Sequence, residues 1–129
     1  GGPSADILVG GEGRVSAKVT SAHTASALEF QGDAPSALKL HCRVTVRLVE
    51  YRRRPEGQEL EALRQEMEGQ ELARLTAAVD RLQSLGADCA GLGAKAGMAR
   101  PARWQAAREN WPEWFSRMPV EIQVEVKIL

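Results

Sequence analysis

From Leu38 to Leu48 the chain alternates strictly. Leu38, Leu40, Cys42, Val44, Val46 and Leu48 fall on one side, and Lys39, His41, Arg43, Thr45 and Arg47 on the other. A side-chain period of two makes this a strand with one buried and one wet face, the pattern of an antiparallel sheet open to water on one side. The last residues repeat it: Val120, Ile122, Val124, Val126 and Ile128 alternate with Glu121, Gln123, Glu125 and Lys127 after Pro119. Near the start, Ile7–Val9 form a short apolar run. Val15, Ala17 and Val19 alternate with Ser16 and Lys18 after the turn residues Gly10-Gly11-Glu12-Gly13. The stretch from Ser21 to Ser36 contains Gly32, Asp33 and Pro35 and reads as a connection with a short strand at Ala27–Phe30.

Between these strands the period changes. Leu60, Leu63 and Met67 form one helical stripe, and Leu72, Leu75, Val79 and Leu82 form a second, rotated stripe after Gly69. This predicts a helix over about 58–85 that bends or changes packing partner near Gly69. The broken heptad argues against a coiled coil. Gly86, Gly91 and Gly93 stop the helix and re-aim the backbone. Met98–Pro101 reads as a connection whose Pro101 suits the first turn of a helix. Trp104, Ala107, Trp111, Trp114 and Phe115 then recur at helical spacing, but Pro112 removes a donor and crowds the carbonyl of Arg108. Two short helices meeting near Asn110 resolve the conflict. The predicted class is α+β: an antiparallel sheet of three to five strands, one long helix packed on a face, and shorter tryptophan-rich helices at one end.

The 129 residues suit one domain, taken here as 5–129, with Gly1-Gly2-Pro3-Ser4 read as a scar or linker. A chain that begins this way is expected to be cut from something longer, so a targeting segment is not excluded. The composition, 43% hydrophobic and 26% charged, is that of a soluble globular protein. Seventeen basic and seventeen acidic residues cancel, so no overall field draws the chain to nucleic acid or an acidic membrane, and partners must be found by shape. Arg52-Arg53-Arg54 is flanked by acidic residues and reads as a solvated strand end. No apolar run reaches the roughly 18 residues that span a bilayer.

The inventory of reactive groups is thin. Cys42 and Cys89 lack the paired spacing of a zinc site; both are expected to be free thiols, with one bridge between them as the alternative in an oxidising compartment. His23 and His41 read as surface histidines. Glu50, Asp88 and Glu109 carry no spacing that places two on one turn, so no catalytic, metal or cofactor set is assigned. Gly91-Leu92-Gly93 resembles a phosphate loop but follows a helix and lacks the lysine and threonine of that motif. A helix cap with close backbone packing is the expected role. Asp88 is expected to accept backbone N–H bonds within the same turn. The three tryptophans read as core, with a protein-partner surface as the alternative.

In order and spacing, these features resemble the C-terminal domain of the Ger(x)C family, the C subunits of spore germination nutrient receptors. The features are a strand ending in Glu50, a long helix, Gln83-x4-Asp88-x2-Gly91-x-Gly93, then Trp104, Trp111, Phe115 and a terminal alternating strand. The resemblance covers about Arg14 to Ile128. Two departures stand out: Pro112 lies where members continue a helix, and Cys89 and Leu92 replace an aromatic near the glycines.

The resemblance implies a secreted lipoprotein parent of several domains, lipid-anchored on the outer face of the spore inner membrane. It also implies partners among integral-membrane receptor subunits of the A and B type, possible self-association, no nucleic acid and no cofactor. It implies a non-catalytic interaction domain, for which Trp104, Trp111, Trp114 and Phe115 are the candidate interface. Two rivals remain open: a nutrient-binding module lined by Asp88 and the tryptophans, and a hydrolase using Asp88 and Glu50.

Overall fold

The computed structural model describes residues 7–86, 91–97 and 101–129. Asp88 and Cys89, the segment read as a connection at 98–100, and the linker at 1–4 lie outside these residues. The elements run β1 (Ile7–Gly10), β2 (Val15–Gln31), β3 (Ala34–Glu50), α1 (Gln58–Ser84), α2 (Leu92–Gly97), α3 (Pro101–Ala107), a 3-10 turn (Arg108–Asn110), α4 (Trp111–Arg117) and β4 (Val120–Ile128). The four strands form one sheet in the order β1-β2-β3-β4.

The α+β class holds, with a mixed rather than purely antiparallel sheet. β1 and β2 are antiparallel, Ile7 opposite Lys18 and Gly10 opposite Val15. Gly32-Asp33 returns β2 directly into β3. β4 instead lies parallel to β3. Leu38 N–H donates to Pro119 O at 3.0 Å and Leu129 N–H to Val46 O at 2.9 Å, so both strands advance together. The ion pairs Lys39–Glu121 and Arg43–Glu125 share that offset. Alternation specifies which face is buried but not strand direction, and the long helical crossover between β3 and β4 permits a parallel return.

β2 is a single strand of 17 residues where the sequence predicts a connection from Ser21. Thr20 to Ala25 are all exposed, so this part of the strand shows no alternation to read. α1 is likewise unbroken across Gly69. One stripe runs through Leu63, Met67, Glu71 and Val79, all buried, and Leu72 is 39% exposed. Leu63 and Met67 are buried in one compact unit and Val79 in another, so the helix changes packing partner as the rotated stripe predicts, with Glu71 rather than Leu72 taking the inward position between them.

The described chain clusters into two compact units. The first takes in the chain up to His23, Cys42–Ala73 and Val124–Leu129; the second takes in Thr24–His41 and Arg74–Gln123. In the first, Leu8, Val15, Ala17, Cys42, Val44, Val46, Leu48, Leu63, Met67 and Val126 are buried. Polar side chains of α1 also bond strand and turn backbone in this unit. Gln70 Nε2 donates to Val9 O at 2.7 Å, Glu66 accepts from Gly11 N–H at 2.9 Å, and Glu68 accepts from Val126 N–H at 2.9 Å. Arg64 sits between Glu61 and Glu68, and its hydrogen bond holds the Glu61 carboxyl below the usual carboxylate range. Cys42 is bonded to no sulfur among the described residues.

In the second unit Leu28, Leu38, Leu40, Val79, Trp111, Phe115 and Met118 form the core, with Phe30, Leu82, Trp104, Trp114, Val120 and Ile122 packed against it. The polar contacts at its surface include Lys39 Nζ, 2.7 Å from Glu29 and 3.6 Å from Glu121, which clasps β2, β3 and β4 together.

Candidate functional site

Of the residues singled out by their spacing, Gln83, Gly91, Gly93, Trp104, Trp111 and Phe115 fall in the second unit. Pro112 sits in the first turn of α4, where its missing N–H costs nothing, and the 3-10 turn absorbs the change of direction from α3. The two short helices meet at Asn110 as the position of Pro112 requires. This brings Trp111 edge-on to Trp104, ring centroids 5.2 Å apart at 74°, and places it 5.7 Å from Phe115. Both are favourable arrangements for aromatic quadrupoles. Phe115 is completely buried and Trp111 is 6% exposed.

The end of α1 is tied to these helices by Gln83. Its Nε2 donates to Phe115 O and to Met118 O, each at 2.8 Å. Those carbonyls lie in the last turn of α4 and just beyond it, where backbone acceptors have no helical partner. A glutamine reaching from α1 thus closes the end of α4, while Met118 N–H donates to Trp114 O.

The glycines complete the arrangement in a way the sequence left unread. α2 falls where only a glycine-rich exit was expected. Gly91 enters it with φ +65°, a conformation costly for any residue with a Cβ. Gly93 lies against Trp111: a Cβ there would stand 2.3 Å from Cε2 and 2.7 Å from Nε1 of the indole. Gly97, one turn on, meets Trp104 in the same way at 2.5 Å from Cγ. The close packing is therefore of glycine against indole, rather than backbone against backbone. The spacing Gly93-x3-Gly97, matched to Trp104 and Trp111, was the available signal for it.

Trp104 and Trp114 are half-buried and keep part of each ring accessible. Arg103 stands over the Phe30 ring, 5.7 Å from its centroid, at the margin of the same cluster. Glu50 is exposed at the end of β3 in the first unit, and Glu109 is exposed in the 3-10 turn of the second. His23 is exposed and His41 half-buried. Among the described residues no three His, Cys, Asp or Glu side chains gather as a metal site, and no helix is long and apolar enough to cross a membrane.

Three comparisons bear on these features. Residues 6–129 match the family model described as spore germination B3/GerAC like, C-terminal. A search of curated proteins finds no match. Among solved structures, the crystal structure of the GerBC protein is similar with a TM-score of 0.80 at 17% identity, a likeness of fold covering 95% of this chain and 40% of that one. The chain thus spans well under half of the solved protein it matches.

Proposed function

The chain belongs to the family of spore germination B3/GerAC-like C-terminal domains. On that footing we propose that it is a non-catalytic interaction domain of a germinant receptor C subunit. In this reading a longer parent protein, lipid-anchored at the outer face of the spore inner membrane, presents the domain to A-type and B-type integral subunits or to neighbouring C subunits.

The observation that carries the reading is the use made of the family pattern. Gln83, Gly93, Trp111 and Phe115 are occupied in holding α1, α2 and α4 together, and Gly91 supplies the left-handed backbone that enters α2. What the cluster leaves accessible is aromatic surface on Trp104 and Trp114, the side-chain type that most often anchors protein interfaces. The proposed contact is accordingly narrower than the four aromatics taken from the sequence: Trp111 and Phe115 support it from beneath.

The test is capture from detergent-solubilised spore inner membrane by the tagged chain. Retention of integral receptor subunits by the wild type, and its loss in a folded Trp104→Ala variant, is the expected result. A wild type that captures no receptor subunit would contradict the reading.

A further inference from the structure

The first unit contains a cleft of about 830 Å³, away from the tryptophan cluster in sequence and lined by none of the residues of the family pattern. Its size falls within the roughly 300–1,000 Å³ of small-ligand sites. The β1–β2 turn contributes Gly11 and Arg14, the segment after β3 contributes Arg52, Arg53 and Pro55, and α1 contributes Glu59, Ala62, Leu63 and Glu66. Val15, Pro55 and Leu63 are buried and give the cleft an apolar floor, while all three arginines are exposed at its walls.

The charges in the cleft do not cancel. Arg53 is paired with Glu59 at 3.2 Å, and Glu66 already accepts the Gly11 N–H at 2.9 Å. Arg14 and Arg52 have no carboxylate within 4 Å among the described residues. Three arginines face two glutamates there, so in a protein of zero net charge the lining carries a local surplus of one positive charge over an apolar floor, with Arg14 and Arg52 outside any ion pair among the described residues. Guanidiniums bind carboxylate and phosphate oxygens through paired N–H donors.

We propose that this cleft binds a small amphipathic anion. A carboxylate or phosphate head would be held by Arg14 and Arg52, and a short apolar tail would lie on Val15, Pro55 and Leu63.

The experiment is titration calorimetry of the 129-residue chain with octanoate, 1-octanol and inorganic phosphate, supported by amide chemical-shift mapping. The variants are Arg14→Gln/Arg52→Gln and, as a control, Arg47→Gln on the exposed side of β3. Octanoate should bind saturably, phosphate more weakly, and 1-octanol least. The double variant should weaken octanoate by about tenfold or more, as expected for losing two charge-assisted contacts, with the control unchanged. Shift changes should centre on the Gly10–Gly13 turn and on Glu59–Glu66. Binding of phosphate as tight as octanoate would overturn the amphipathic ligand. Absence of binding by both anions would overturn the proposal. So would equal affinity for 1-octanol, or octanoate binding unchanged in the double variant.

Discussion

Gly93 and Trp111 are in such close contact that a methyl group on the glycine would stand 2.3 Å from the indole Cε2. The indole is itself fixed between Trp104 and Phe115 and cannot swing away cheaply. Gly93→Ala should therefore destabilise the domain by about 1–3 kcal/mol, the usual cost of overpacking. Gly69→Ala supplies the opposite sign. Its Cβ would meet nothing within 4 Å in the interior of α1, so a gain of about 0.5–1 kcal/mol is expected. Thermal or denaturant melts of the two variants check both.

Gln83→Ala should cost about 1–3 kcal/mol, because the carbonyls of Phe115 and Met118 lose their shared donor in a half-buried place. Gln83→Glu should be worse than Ala at neutral pH. It sets an acceptor-only carboxylate against two carbonyl oxygens. Denaturant unfolding of the three proteins orders them; equal stability of wild type and Gln83→Glu would refute the assignment.

The tryptophans should separate in solution. Trp111→Ala removes a buried ring and should cost about 3–5 kcal/mol, whereas the half-buried Trp104 and Trp114 should cost less. Acrylamide should quench the fluorescence of variants retaining only Trp104 or Trp114 more strongly than one retaining only Trp111. Equal quenching would place all three rings in one environment and remove the proposed contact surface.

Lys39 gives a pH dependence whose sign is fixed. Its hydrogen bond to Glu29, with the nearby charges of Glu29 and Glu121, raises the ammonium above the ordinary value of 10.5. A group whose folded pKa is raised contributes stability fully below its unfolded pKa and loses it as pH rises through the folded one. The melting temperature of Lys39→Met should lie slightly below wild type at neutral pH. The two should converge as pH climbs beyond about 10.5. The site is exposed, so the gap should also shrink in high salt.

What the sequence disclosed followed from single-residue physics. The alternation in β3 and β4 marked one face of each strand, and Pro112 forced the break before α4. What it withheld depended on partners distant in the chain. The direction of β4 lies in its pairing with β3, and alternation looks the same either way. The middle of β2 is exposed on both sides, so no period marks it as a strand. Glu71 is buried in the stripe of α1, a place that hydrophobicity assigns to Leu72. At the tryptophan cluster, Gln83, Gly93, Trp111 and Phe115 were legible as a group, but their mutual contacts, and the part of Gly97 beneath Trp104, were not.

The proposed interface is the aromatic surface of Trp104 and Trp114, which meets other receptor subunits while Trp111 and Phe115 hold it in place. The most direct measurement is site-specific photocrosslinking in spores carrying the intact receptor. A photoreactive residue would replace Trp114, with a matched control at exposed Arg47 on β3. Adducts to an integral receptor subunit or a second C subunit are expected from position 114 and none from 47. Adducts from 47 alone, or none from 114 in a receptor that still responds to germinant, would contradict it.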